Sequence, residues 1–312
     1  MQQFFNSNSV LNEPLNWSLA SNKGVTVVIK REDLLHPEVS GNKFRKLKYN
    51  LIKAKADGYD TLLTYGGAFS NHIAATAAAG NLFNFKTIGV IRGNELGDDL
   101  EKTLAQNPTL KLAHKYGMRF KFVSRSDYRL KTTSEFIDKL HLEFGKFYNV
   151  PEGGTNNLAI KGCEEILKPE DDLFDFICVA AGTGGTISGL INSSKRHQKV
   201  LGFPALKGDF LNNDIKKLIR PKNNWQLICD YHFGGYAKIS KELVTFINNF
   251  KSETGLSLDA IYTGKMLFGI ADLLQKDYFK KGSKILAIHT GGMQGNIGMN
   301  TLLKKKYNLE LT

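Results

Sequence analysis

The sequence predicts an α/β fold of two lobes, built on open, twisted, largely parallel sheets. Three observations predict it. Strand-like runs alternate with helix-length amphipathic stretches almost throughout, the pattern of βαβ units. Several of the most apolar runs end in glycine-rich turns that open new helices. The chain has 312 residues, which at ~100–200 residues per domain gives a prior of two or three domains.

The elements follow in order. Val25–Lys30, Thr61–Tyr65, Thr87–Ile91, Arg119–Val123 and Phe147–Val150 read as short strands. Phe174–Ala181, Lys199–Phe203, Trp225–Cys229 and Lys284–His289 continue the series. Phe44, Leu47, Leu51 and Ala54 repeat at helical spacing, and Gly58 ends that run. Pro151-Glu-Gly-Gly reads as a crossing between lobes. The expected division places residues 45–152 in a smaller lobe, and residues 1–44 with 153–312 in a larger one.

Composition excludes several classes. Hydrophobic residues are 42% and charged residues 23%, which rules out wholesale disorder, collagen and a small disulfide scaffold. The 42 Lys+Arg against 30 Asp+Glu leave a net charge of +12. Lysine greatly outnumbers arginine and is scattered, and no zinc-finger or RRM signature accompanies it, so a solvated basic surface is expected rather than a nucleic-acid interface. Cys163, Cys178 and Cys229 form no CxxC pair. The N-terminal MQQFFNSNSV lacks a leader pattern, and no run approaches the ~18 apolar residues of a membrane span. A cytoplasmic protein without membrane attachment is expected. There is no HExxH, no clustered metal-ligand spacing and no GxSxG elbow, so no metal site is expected. Asp98-Asp99 and Asp171-Asp172 read as solvated faces.

Four segments could carry chemistry. In Ser40-Gly-Asn-Lys43 a glycine-containing loop delivers a lysine to a helix start, where the dipole disfavours an ammonium; a neutral lysine is a nucleophile. On this segment alone a surface lysine is the stronger reading. Thr61–Tyr65 runs into Gly66-Gly-Ala-Phe-Ser70-Asn71-His72 and an alanine-rich helix, a strand–turn–helix arrangement suited to an anion, with an N-cap at Ser70 as the alternative. Phe174–Ala181 runs into Gly182-Thr183-Gly184-Gly185-Thr186, a nest for a phosphate that is neither a P-loop nor GxGxxG. Lys284–His289 runs into Thr290-Gly-Gly, where a threonine hydroxyl could meet a ring nitrogen. Tyr236 in Gly234-Gly-Tyr-Ala and Tyr262 in Ala260-Ile-Tyr-Thr-Gly-Lys265 are by themselves more often core or rim residues than catalysts.

In this order Lys30-Arg-Glu-Asp-Leu, Ser40-Gly-Asn-Lys43-Phe-Arg-Lys-Leu and Gly66-Gly-Ala-Phe-Ser-Asn-His72 resemble the 1-aminocyclopropane-1-carboxylate (ACC) deaminase/D-cysteine desulfhydrase family. Its members are pyridoxal 5'-phosphate enzymes of fold type II, similar to tryptophan synthase β. The resemblance runs from about Val25 to the Gly295 region. It implies a Schiff-base role for Lys43 and a bond from Asn71 to the cofactor's 3′-oxygen. It implies a phosphate site at Gly182, Thr183, Gly184, Gly185 and Thr186, and a place for Thr290 at the pyridine nitrogen. Ser70, Asn71 and His72 would receive the substrate carboxylate, with Ser70, Tyr236 and Tyr262 as further catalytic residues and Thr263 on the substrate side. A homodimer acting on a small amino acid is also implied. ACC deaminases resemble Tyr-Glu-Gly-Lys and His-Leu-Gly-Gly where this chain has Tyr262-Thr263-Gly-Lys and His289-Thr290-Gly-Gly. A neutral threonine leaves a milder electron sink, which favours α,β-elimination of D-cysteine over ring opening of ACC. ACC deamination, another reaction on a D- or β-substituted amino acid, and a non-catalytic basic binding protein on the same fold are the competing expectations.

Overall fold

The computed structural model describes residues 1–6, 10–208 and 210–312. Residues 7–9, part of the N-terminal segment inspected for a leader, lie outside the described residues, as does residue 209. Among the described residues ten strands form two sheets. They are β1 (Asn12–Pro14), β2 (Thr26–Lys30), β3 (Thr61–Gly67), β4 (Lys86–Arg92) and β5 (Arg119–Val123), then β6 (Tyr148–Asn149), β7 (Phe176–Ala181), β8 (Lys199–Pro204), β9 (Trp225–Leu227) and β10 (Lys284–Ile288). The six-stranded sheet has the order β1-β2-β10-β7-β8-β9 and the four-stranded sheet β5-β4-β3-β6. Every pairing is parallel except β1 with β2.

All nine expected strands are present, and their ends differ for local reasons. The β7 strand begins at Phe176, because Phe174 closes the 3-10 turn Pro169–Leu173. Beyond β9 the chain turns into a 3-10 helix at Cys229–Tyr231. The short antiparallel β1 has no sequence signature: Asn, Glu and Pro suit an edge, where one side needs no hydrogen-bond partner. Asp171 corrects an expectation. It is buried, ion-paired to the buried Lys30 at 2.9 Å, and accepts from Asn12 Nδ2 at 2.7 Å. A buried cation from the adjacent strand turns a carboxylate that reads as solvated into a tie between β1, β2 and the Pro169 turn.

Alternation along the central strands fills both faces of the large sheet. Val27, Ile29, Cys178, Ala180, Ile285 and Ala287 point towards Leu267, Ile270 and Leu274 of the Thr263–Gln275 helix. Val28, Ile177, Val179, Leu286 and Ile288 point towards Ile187, Leu190 and Ile191 of the Gly185–Ser193 helix. Burying each such side chain stabilises the fold by about 1.5–3 kcal/mol. In the small sheet, Leu62 packs on Leu47, Leu51 and Ala54 of the Asn42–Ala56 helix and on Ala75, Ala78 and Ala79 of the Asn71–Phe83 helix. As expected, the Asn42–Ala56 helix ends just before Gly58.

Two close approaches set this first helix against the large sheet. A Cβ on Gly162, in the Asn157–Glu164 helix, would fall 2.0 Å from the Arg45 carbonyl oxygen. One on Gly189 would fall 2.4 Å from Cys163 Cβ. Three helices therefore stack backbone on backbone. The start of the first then lies beside the turn that opens the Gly185–Ser193 helix.

Candidate active site

The carboxyl ends of the strands in both sheets converge on one cleft, where open α/β sheets hold ligands. It has a volume of about 210 Å³, and its wall includes Lys43, Ser70, Asn71, His72, Gly182, Thr183, Gly184, Thr186, Tyr236, Tyr262 and Thr290. Eleven positions from four separate sequence segments and two tyrosines thus meet.

Lys43 enters the cleft because the preceding turn can pass very close to the end of β10. Gly41 has φ +59°, and a Cβ there would fall 1.9 Å from the Thr290 carbonyl oxygen. The left-handed φ favours glycine, and the close approach to backbone excludes any residue with a Cβ. Asn42 N then donates to that carbonyl at 3.3 Å, and Asn42 Nδ2 donates to Thr186 Oγ1 at 2.8 Å. The Lys43 amine is held well below its ordinary pKa, first by burial and then by the neighbouring Lys46 charge. Burial, rather than the helix dipole the sequence suggested, is the main cause. Among the described residues its side-chain hydrogen-bond partner is Asn42 Oδ1 at 3.3 Å.

Lys46, three residues on and on the same helix face, is fully engaged. Its Nζ donates to the Gly153 carbonyl at 3.0 Å, to Thr155 Oγ1 at 3.1 Å and to Thr183 Oγ1 at 3.4 Å. It ties the Lys43 helix to the glycine-rich loop after β7. Burial lowers its pKa too.

Ser70 occupies the N-cap position of the Asn71–Phe83 helix, yet its side chain makes no capping bond. Asn71 leaves its buried Oδ1 without a partner. An unpartnered buried polar atom in a cleft wall is costly unless a ligand completes it. His72 Nε2 lies 2.8 Å from Thr64 Oγ1. Burial, then the Lys43 and Lys46 charges, push its pKa well down, so the ring is neutral at neutral pH.

Tyr236 and Tyr262 meet edge to face, with ring centroids 6.2 Å apart. Burial raises both hydroxyl pKa values, that of Tyr262 well above its ordinary level, so both stay protonated. Tyr236 is carried by a loop held from beneath: buried Lys265 donates to the His232 carbonyl at 2.9 Å and to the Gly235 carbonyl at 2.8 Å. Burial lowers the Lys265 pKa to about 8.

Two expected positions stand apart from the wall. Gly185 is the first residue of its helix, and a Cβ there would meet Lys46 Nζ at 3.1 Å; it backs the loop. Thr263 is buried, and its hydroxyl donates to Asp259 Oδ2 at 2.6 Å. Asp259 also accepts from the backbone N–H groups of Ile261, Tyr262 and Thr263. Thr263 therefore belongs to a helix-start knot behind Tyr262. The sequence reading did not select Asn42, Lys46, Arg92 or Glu152, which also line the cleft. The i+3 spacing from Lys43 was a signal for Lys46, and the carboxyl end of β4 was one for Arg92.

A sequence profile described as pyridoxal-phosphate dependent enzyme matches residues 8–291. The chain belongs to that family of pyridoxal-phosphate-dependent enzymes. A bifunctional D-cysteine desulfhydrase/1-aminocyclopropane-1-carboxylate deaminase of Arabidopsis thaliana is 34% identical to it, over 87% of this chain and 73% of that one. A 1-aminocyclopropane-1-carboxylate deaminase of Bradyrhizobium diazoefficiens is 31% identical, over 86% of this chain and 87% of its own. The crystal structure of an ACC deaminase homologue superposes with a TM-score of 0.78 at 31% identity, covering 93% of this chain and 91% of that one. The resemblance read from the motifs, the fold and the cofactor are thereby shown. The cleft fits the cofactor on its own evidence. It offers a lysine kept from protonation, a glycine-rich turn at a helix start beside a buried ammonium, and an amide oxygen with no partner.

Proposed function

We propose that this enzyme eliminates sulfide from D-cysteine, with pyruvate and ammonia as the remaining products. The observation that carries this over ACC deamination is the chemistry of the wall at Tyr262, Thr290 and Gly291, which among the described residues holds no carboxylate. Glu152 is the one acid in the cleft wall, and it is engaged elsewhere: it accepts from the Tyr128 hydroxyl at 2.8 Å and pairs with Lys131 at 3.2 Å. Asp259 is turned away into the helix start behind Tyr262. A neutral partner such as the Thr290 hydroxyl supports a mild electron sink. That suffices to remove an α-proton and expel a thiol, and it disfavours opening a ring whose α-carbon bears no hydrogen.

When bound, pyridoxal phosphate supplies an electron-withdrawing ring that stabilises negative charge at the substrate α-carbon. Lys43 would hold it covalently, the Gly182–Thr186 turn with the following helix start would take its phosphate, and Asn71 and Thr290 would meet its ring. Ser70 and Asn71, at the start of their helix, orient the substrate carboxylate. Lys43 is the group that moves the α-proton: burial and the Lys46 charge hold its pKa well below the ordinary lysine value, which favours a free lone pair, whereas the Tyr236 and Tyr262 hydroxyls, pushed up by burial, stay protonated and donate. The neutral His72 ring, fixed against Thr64, keeps the carboxylate end of the cleft free of a titrating charge.

The test is 2-oxo acid release from D-cysteine and from ACC, side by side, with cofactor-loaded protein. Pyruvate from D-cysteine without 2-oxobutyrate from ACC is the expected result. Formation of 2-oxobutyrate would overturn the assignment. Lys43→Ala should lower turnover by at least ~10²–10⁴-fold and remove the visible absorbance of the lysine-linked cofactor.

A further inference from the structure

Arg92 ends β4 and stands opposite Gly67 in the parallel register of β3 and β4. Its guanidinium lies above Gly67, where a Cβ would come within 3.6 Å of Nη2. The same side chain lines the Lys43 cleft and a second recess of about 590 Å³ beside it, which Arg125, Arg129 and Lys131 also line. Gly67, Arg92 and Glu152 line both spaces.

No carboxylate pairs with Arg92 among the described residues, and its one described side-chain contact is the face of Tyr128, 5.7 Å from ring centroid to guanidinium carbon. Glu152 is taken by Tyr128 and Lys131. Across the cleft the Arg92 charge acts on the Tyr236 hydroxyl, opposing part of the effect of burial there. An arginine propped on an aromatic face, at the mouth of a cleft and without an internal partner, has its donors directed at what enters. Guanidinium donors match planar or tetrahedral oxyanions with two parallel bonds.

We propose that Arg92 is a specificity-determining residue that receives an oxyanion on the substrate side chain, so that besides D-cysteine the site accepts β-substituted D-amino acids whose substituent is a phosphate, phosphonate or carboxylate, and holds these more tightly than a D-amino acid with a bare methyl side chain. This rests on the reading that Lys43 and Ser70 hold the amino and carboxylate ends of a D-amino acid. The substrate α-carboxylate is then placed at the Asn71–Phe83 helix start, and its side chain lies between Tyr236 and Arg92. In the adjoining recess Arg125, Arg129 and Lys131 outnumber the carboxylates Glu95 and Glu152, which pair with Arg125 and Lys131, so the remaining positive charge of Arg92 and Arg129 draws an anion towards that end.

The experiment uses cofactor-loaded protein and calorimetric affinity for D-2-amino-3-phosphonopropionate and D-alanine, neither of which carries a leaving group that elimination expels readily. The wild type should bind the phosphonate at least tenfold more tightly. In Arg92→Gln that preference should fall at least tenfold, with D-alanine affinity changed less than threefold, and Arg92→Lys should restore part of it. Equal affinities in the wild type, or an equal loss for both ligands in Arg92→Gln, would overturn the proposal. Loss of the visible, Lys43-dependent absorbance from the wild type itself would instead overturn the reading of the site on which the proposal stands.

Discussion

Two lysines one helical turn apart, with both amines out of water, are the main electrostatic decision made in this cleft. Lys46 has three oxygen acceptors and Lys43 one weak one; burial lowers the pKa of both, and the Lys46 charge lowers that of Lys43 further. Replacing Lys46 by Met removes the like charge that helps to depress Lys43. The acid limb of the kcat profile, which reports Lys43 once substrate has freed it, should then move to higher pH, and a pH–rate series on the variant reads this directly. The bidentate pair Arg45–Glu32, with both contacts at 2.9 Å, works differently. It is buried at both ends, and Glu32→Gln would strand a guanidinium away from water. A loss of about 3–5 kcal/mol is expected in urea unfolding. Both groups lie within the motifs that carry the family resemblance, yet neither sits where sequence periodicity would put a charge: the Asn42–Ala56 helix buries Arg45, Lys46 and Lys48 on what the spacing marks as its polar side.

Among the elements, the strands were the most legible. Their apolar runs are bounded by glycine turns, and the register of parallel neighbours leaves little choice of ends. The helix starts at Lys43, Asn71 and Gly185 were equally clear, because each follows a glycine turn. Less legible were features that depend on a partner far away in the chain. Asp171 reads as solvated until Lys30 is placed against it, and Thr263 reads as a substrate contact until Asp259 is seen to hold it. Close helix crossings were also hidden, since Gly162 has no turn to explain it. Gly162→Val should prove this. A side chain there meets the Arg45 backbone, which cannot yield as a side-chain tip could. A destabilisation of about 1–3 kcal/mol or more is expected by chemical denaturation, with weaker cofactor binding, because the displaced helix carries Lys43.

For the whole molecule, the cofactor would bind in the cleft lined from both sheets, so its binding would favour the folded chain. Ligand bound only by the folded chain raises stability with concentration, by about 2.7 kcal/mol at a hundred times the dissociation constant. The melting temperature should climb with added pyridoxal phosphate, and less steeply in Lys43→Ala. Stability should also depend on pH through His72. Its folded pKa lies well below the unfolded value of 6.5, so below that value the unfolded chain binds a proton that the folded chain refuses. Each further pH unit then costs about 1.4 kcal/mol until the folded value is reached. The contribution is nil above pH 6.5 and grows as the solution is acidified. Equilibrium unfolding across that range, compared with His72→Asn, isolates it; an identical pH slope in the variant would remove His72 as the cause.

The neighbour relation of β2 and β10 has a consequence for synthesis. Val28 of β2 lies in register with Leu286 of β10, so an early strand waits beside an empty place until nearly all of the chain has left the ribosome. The four-stranded sheet draws its strands only from the interval between Thr61 and Asn149 and can close long before. The nascent chain should therefore leave one edge of β2 unpaired for most of its elongation, and one edge of β7 unpaired from its own emergence until β10 arrives, and a pulse of protease during translation should cut there while sparing the small sheet. Distant pairing of this kind slows folding, and it makes the large sheet the part of this enzyme that relies most on protection while it is being made.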